Sequence, residues 1–364
     1  MQKIILVLIF LIFSLFAESL NVRFIGYYDT PGFANSLFIV NNYAYVADSD
    51  SGLRIINISN PQNPYEVGNF KLPLVNFKIP FFSSPYLYLT DYYFGLRIVD
   101  VSNPQQPFQV GAFRTPGWSY GIWALDSFVY IADGSGLRII NISNPQNPYE
   151  VSFYDTPSWL WNLFISYPYC YLADASGFLI LDISNPREPN LLSFYPTSDA
   201  VLDVFVKDSF AYLTIYNQGL KIINISNPQM PVLMGEYFIP NECWGIFVSN
   251  SYVYIACGEM GIKVINVSNP NNPYEIGYYN TPGFSNDIFI VEPYIYAADG
   301  DFGFQIYQFY GTPNIEEKNY SLFNKKEDFK NTLLFNKVGR KIRNLKKINV
   351  DYYFLKNSKV LLLK

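Results

Sequence analysis

The side chains able to do chemistry in this chain gather at one recurring point. Counting back from each segment of the type "YAYVAD" reaches a position that holds Phe33, Asn76, Trp118, Trp159, Ala200, Glu242 and Phe284 in successive copies. Two residues on, the position holds Asn35, Lys78, Tyr120, Trp161, Leu202, Trp244 and Asn286. The flanking text stays monotonous while these two positions vary. All five tryptophans, at 118, 123, 159, 161 and 244, fall here or just beyond. Aromatic platforms beside acidic acceptors suit sugars or peptide segments, because binding sites combine apolar walls with a few polar groups. A position that only fills space has no reason to change between Trp, Asn, Lys and Leu. Trp118, Tyr120, Trp159, Trp161, Trp244, Glu242, Phe33 and Phe284 are therefore the candidate ligand contacts.

Other chemistries are weaker. The ends of the "YAYVAD" segments carry Asp48, Asp91, Asp133, Asp174 and Asp299, replaced by Ile215 and Cys257 in two copies. These carboxylates read either as acceptors around a shared mouth or as caps of the turn that follows, and the repeated "AD-x-S-G" text favours the turn. Glu242, Asp199, Asp203 and Asp287 break the pattern near the same point and are the residues a glycoside hydrolase or lyase would use, with carboxyls about 5 to 9.5 Å apart. The chain has no histidine, which removes His-based triads, His general bases and His metal ligands. "DSDSG" (48–52) and "DGDFG" (299–303) begin like calcium loops but lack the closing Glu, so no metal and no cofactor is expected. Three cysteines, 170, 243 and 257, argue against a disulfide scaffold; Cys243 and Cys257 fall on adjacent strands of one unit, which allows a single bridge, but buried free thiols are the preferred reading. The sequons at 57, 141, 224, 266 and 319 are better explained by turn text than by glycosylation.

The elements that must position these residues are repeats. The proline of "SNP" recurs at 61, 104, 145, 186, 228 and 270, a period near 42. Each unit contains four short segments rich in β-branched and aromatic residues, as in "FANSLFIV" (33–40), "YAYVAD" (43–48), "LRIINI" (53–58) and "YEVGNFKL" (65–72). Bounded by Gly, Pro, Asn and Asp, they read as strands. A glycine precedes the third strand in every copy, at 52, 95, 136, 177, 219, 261 and 303, which points to a hairpin backbone with positive φ. Asn or Asp plus "SNPxxP" then stops the third strand through Asx turns and paired prolines. Four strands per unit at this period predict a β-propeller. First, second and third strands each occur seven times, yet nothing after 309 supplies a last fourth strand. "VRFIGYYDT" (22–30) matches the fourth-strand text "YEIGYYNT" (274–281), so the N-terminal strand should complete the last unit and hide a sheet edge. The expected fold is all-β: a seven-bladed β-propeller closed by the N-terminal strand, plus a small C-terminal β-module.

"GLRIVDVSNP" and its copies resemble the LVIVD repeat, and the resemblance, which covers roughly 22–309, implies a propeller in an exported prokaryotic protein and says almost nothing about activity. Residues 1–17, "MQKIILVLIFLIFSLFA", read as a signal peptide, since the apolar run is short for a membrane span. Residues 18–312 are the expected propeller, with 12 Lys and Arg against 25 Asp and Glu through residue 312, an acidic body unsuited to nucleic acid. Residues 313–364 reverse this, with 13 against 5. Within them, 313–330 is a charged linker and 331–364 alternates as three short strands. "VGRKIRNL…DYYFLKNSKVLLLK" resembles the end of C-terminal sorting domains of the bacterial type IX secretion system, with Asp351 where glycine is usual. That resemblance implies a sorting or anchoring segment engaged by secretion machinery; the alternative is a small β-module docked on the propeller. The expected protein is secreted or held at the cell surface, without a membrane span in its mature form. It is expected to be a non-enzymatic binding or scaffold protein that recognises a surface polymer or a protein through the channel mouth. The alternative is a carbohydrate-active propeller enzyme.

Overall fold

A computed structural model describes residues 19–311 and the three strands Leu333–Asn336, Tyr352–Lys356 and Lys359–Leu363. Residues 1–17, expected to be a signal peptide, residues 313–330, expected to be a linker, and most of the C-terminal segment lie outside the described residues. The chain divides into two compact units, the second beginning at Pro313. The three strands of this second unit pair as one antiparallel sheet.

The first unit is an all-β propeller, and no helix occurs among its described residues. Its repeat folds as an antiparallel meander. In the first copy Ser36–Val40 pairs with Tyr43–Ala47, which pairs with Leu53–Asn57, which pairs with Tyr65–Phe70. The second and third strands are apolar on both faces, and Val46, Leu53, Ile55 and Ile56 are fully buried. That pattern follows from stacking, because each sheet has a neighbour on either side. The outer strand is the wet one: Tyr65, Phe108, Tyr149 and Tyr274 all begin such strands and are about half exposed.

The hydrogen-bonded sheets do not number one per repeat. Six ladders make up the propeller: four of four strands, one of five and one of seven. The seven-stranded ladder arises because Tyr149–Ser166 runs unbroken, pairing through its first part with Gly134–Asn141 and through its second with Tyr169–Asp174. The five-stranded ladder gains Ser19–Leu20, which pairs outside Tyr274–Tyr279. Sequence reading missed this two-residue strand.

The N-terminal strand Val22–Tyr28 pairs with Phe304–Phe309, supplying the fourth strand that the last copy lacks. It carries the same bulge as the other outer strands, skipping Ile25 as the first unit skips Val67. Apolar packing closes there too: Ala34, Leu37, Val46 and Ile56 share a core cluster with Tyr296, Ala298, Phe304 and Ile306.

The repeated punctuation has visible causes. All seven hairpin glycines have positive φ, from 66° to 159°. A Cβ on Gly52 would lie 2.4 Å from the Phe70 carbonyl oxygen, so a side chain is excluded by space as well as by backbone. In the "SNP" turns, Asn57 Oδ1 accepts the Ser59 N–H at 3.0 Å and Asn60 Oδ1 accepts the Gln62 N–H at 3.2 Å. These turns also join units. A Cβ on Gly68 would sit 2.1 Å from the Pro104 carbonyl of the next unit, and one on Gly26 would sit 2.3 Å from that of Pro61. Where serine replaces this glycine, its hydroxyl bonds the same carbonyl: Ser152 to Pro186 at 2.7 Å and Ser193 to Pro228 at 2.6 Å.

Candidate functional site

The first strands of successive units line the central channel, and residues further along them form deeper layers. Deepest is a collar of Phe38, Phe81, Trp123, Phe164, Phe205, Phe247 and Phe289. Neighbouring ring centroids stand 4.6 to 5.4 Å apart, and the circle closes from Phe289 back to Phe38 at 5.1 Å. Trp123 therefore belongs to the collar and not to the mouth.

Above the collar lies a cavity of about 460 Å³. Its floor includes Ser36, Ile79, Asn162, Asp203 and Asp287, and its wall includes Asn35, Lys78, Tyr120, Trp161, Leu202, Trp244 and Asn286. Phe33, Glu242 and Phe284 stand at the upper edge. Of the eight expected contacts the structure thus brings six together here: Phe33, Tyr120, Trp161, Glu242, Trp244 and Phe284.

The other two, Trp118 and Trp159, do not border the cavity; they continue its aromatic wall outward. Trp244 meets Trp161 at 5.6 Å, Trp161 meets Trp159 at 5.9 Å, and Trp159 meets Trp118 at 5.2 Å. Trp118 then stacks on Tyr92 at 5.3 Å and 19°, and Tyr92 packs on Tyr93. Trp118 is 49% exposed and Tyr93 60%, so the arc runs from the cavity to open solvent. Sequence reading missed Tyr92 and Tyr93. Their signal was the text "DYYFG" (91–95), the one hairpin of the repeat that carries three aromatic residues in a row.

The floor carboxylates belong to the frame. Asp203 accepts hydrogen bonds from Asn162 Nδ2 at 2.6 Å, Val204 N at 2.8 Å and Ile246 N at 3.0 Å. Asp287 accepts from Ser36 Oγ, Leu37 N and Ile288 N. Each carboxylate ties its own strand to the next unit's strand. Burial raises both acids despite these donors: Asp287 to about 6, and Asp203 well above the usual range, with the Asp287 charge as a second cause. Asp199, the remaining carboxylate of the enzymatic reading, does not border the cavity, and its Oδ1 accepts the Ala200 N–H.

Glu242 accepts from the Tyr216 hydroxyl at 2.8 Å and from Trp244 Nε1 at 3.2 Å. Lys78 is the one cation among the lining residues. Its Nζ donates to Asn35 Oδ1 at 3.3 Å and lies 5.4 Å from the Tyr92 ring centre, and burial lowers its pKa.

The aspartates at the second-strand ends are turn and loop latches. All five are fully buried. Asp48 accepts from Thr30 Oγ1 at 2.7 Å and Gly32 N at 2.9 Å, which fastens the loop entering the first strand. Asp299 accepts from Gly283 N in the same way, and Asp91 and Asp133 also pair with Arg97 and Arg138 of the third strand. The loops 48–52 and 299–303 owe their acid-rich text to this latch. No group of three or more acidic or Cys side chains among the described residues is placed to hold a metal.

In the sixth unit a covalent bond replaces the carboxylate. Cys257, in the Asp position, is joined to Cys243 of the entering loop. This corrects the expectation of free thiols for that pair; Cys170 is free and buried. Cys243 lies between Glu242 and Trp244, so the bridge anchors two cavity residues.

The profile of the LVIVD repeat matches residues 31–71, 83–115, 116–156, 160–197, 200–238 and 242–281, more than half of the chain. The last unit, which lacks the "SNP" turn, lies outside these matches. Comparison with curated proteins by sequence finds no match. Among solved structures, the Myceliophteria thermophila Cps50 (Swd1) β-propeller domain superposes with a TM-score of 0.65 at 10% identity, over 79% of this chain and 99% of that one. The WD40 β-propeller domain of Doa1 gives 0.64 at 10% identity, over 79% and 97%. The computationally designed Ika8 protein gives 0.60 at 11% identity, over 79% and 99%. At these identities the likeness is one of fold, an all-β propeller. By its repeats, this chain belongs to the LVIVD-repeat family.

Proposed function

We propose that this is a non-enzymatic binding or scaffold protein of the cell exterior, recognising a surface polymer or a protein through the mouth of its channel. The observation that carries this reading is the arc from Trp244 to Tyr93, an unbroken aromatic surface leading out of a cavity that also holds amides, carboxylates and one lysine. Large amphipathic rings beside a few polar groups are the usual composition of a recognition site. The mouth sits on a ring read here as seven-bladed, supported by the closed circle of seven aromatic side chains and by packing that returns from the last unit to the first. Export rests on the apolar leader 1–17, and engagement of type IX secretion machinery rests on the text of 331–364.

Catalysis by paired carboxylates is the competing reading, since Asp203, Asp287 and Glu242 border one cavity. Against it, both oxygens of each already accept hydrogen bonds from the protein. A nucleophile or a general base needs an oxygen free to meet substrate.

The test is a combined glycan and peptide array probed with the full chain and with Trp161→Ala, followed by chromatography of every bound oligosaccharide. Binding by the parent chain, lost in the variant and with ligands recovered intact, is the expected result. Absence of binding to either array would overturn the recognition role, and cleaved oligosaccharides would install the enzymatic one.

A further inference from the structure

Resting on that reading of the mouth as a binding site, we infer that its ligand is the end of a glycan chain whose last sugar carries a carboxylate, held by Lys78. The first observation is that the cavity is small and that its lining stops above the collar. Its lining stops at the floor layer of Ser36, Asn162, Asp203 and Asp287, and none of the seven collar rings borders it. The cavity therefore reaches from the mouth only as far as this floor layer. The cavity volume, about 460 Å³, is at the small-ligand end of binding pockets and suits a terminal sugar or two. The rest of the chain must lie outside, where Trp159, Trp118 and Tyr93 extend the wall to solvent. Sugar rings present flat C–H faces to such platforms.

The second observation is the balance of donors and acceptors. Asn286 Nδ2 is spent on the Ala34 and Phe284 carbonyls, both at 3.1 Å, and Asn35 Nδ2 on the Phe77 carbonyl and Ser49. With its amide nitrogen pinned to the frame, Asn286 offers its oxygen, while the Asn35 oxygen holds the Lys78 ammonium. An acceptor at Asn286 together with aromatic walls suits a sugar, which brings hydroxyl donors and flat C–H faces on one ring.

The third observation is Lys78. Among the described residues it makes no ion pair; the bonded partner of its ammonium is the Asn35 amide oxygen. It carries three donors and uses one. The three carboxylates of the cavity are engaged elsewhere, so Lys78 is a partly desolvated cation awaiting an anion. Burial already lowers its pKa, and a ligand carboxylate would offset that cost. With one cation among the lining residues, the cavity matches a ligand carrying a single carboxylate at its end.

The experiment is a titration of the full chain, followed by tryptophan emission, with two probe pairs: aldotetraouronic acid (a glucuronate-capped xylo-oligosaccharide) against xylotetraose, and sialyllactose against lactose. The methyl ester of each acid is a third arm that needs no variant. At least one acid should bind roughly ten- to hundredfold more tightly than its neutral counterpart and its ester. Lys78→Met should erase that difference, and Lys78→Arg should retain most of it. Equal binding of acid, ester and neutral sugar, indifferent to Lys78→Met, would overturn the carboxylate assignment and leave the mouth as a binding site. Array signal confined to peptides with a free C-terminal carboxylate would overturn the glycan. Silence toward every glycan and peptide would remove the inference and the proposed function together.

Discussion

Asp287 sits where two demands conflict. It must accept three hydrogen bonds to tie neighbouring strands, yet it lies in the channel floor, where losing water disfavours the charged form. Burial wins, and the folded-state pKa rises to about 6 from an ordinary 3.8. The sign follows directly. The folded chain keeps this proton at a pH where the unfolded chain has lost it, so the stability contributed by Asp287 is full below about pH 4 and is lost as pH rises through about 6. Asp299, also pushed up to about 6 by burial, acts in the same direction. Urea denaturation of Asp287→Asn at intervals from pH 4 to pH 7 should show a flatter dependence on pH than the parent chain; an unchanged slope would place the charge elsewhere. Much at this scale was readable from sequence alone. Comparing copies of the repeat singled out six expected contacts that border the cavity, because these positions vary where the flanking text does not. It overlooked Ser36 and Asn162, one residue further along, because their role in tying strands across units depends on which strands are neighbours in space.

Among the elements, the loop entering each first strand decides how the mouth is held. In four units the fastening is a buried carboxylate that accepts a backbone N–H from that loop, as Asp48, Asp91, Asp174 and Asp299 do. In the sixth unit it is the Cys243–Cys257 bond, which spans 14 residues of sequence and fixes the loop bearing Glu242 and Trp244. Closing a loop of this length restricts the unfolded chain by ~3 kcal/mol in the chain-entropy account. Replacing both cysteines with serine should lower the melting temperature by several degrees, and ligand affinity should fall with it as the loop loosens. A variant with unaltered melting temperature and binding would contradict the latch. The position was legible, since Cys257 stands where other units write Asp. The bond was not, because an odd, low cysteine count argues statistically against bridges and carries no information about which loops approach which strands.

At the scale of the whole molecule, the repeat period, the hairpin glycines and the match between 22–30 and 274–281 were enough to predict a propeller closed by its N-terminus. Those features survive because they are local rules applied many times over. What escaped was non-repeating: the added strand Ser19–Leu20, the ladder shared through Tyr149–Ser166, and Tyr92 and Tyr93 at the rim. The proposed binding role rests on just such departures from the repeat. The most direct measurement is tryptophan emission during titration of the full chain with the strongest array binder, repeated in Trp161→Ala, Trp244→Ala and Trp123→Phe. Trp123 lies in the collar below the cavity, and the other two line it. We predict a saturable, single-site change that the first two variants abolish and the third preserves. A change that survives the loss of both Trp161 and Trp244 would place the ligand away from the mouth and contradict the account.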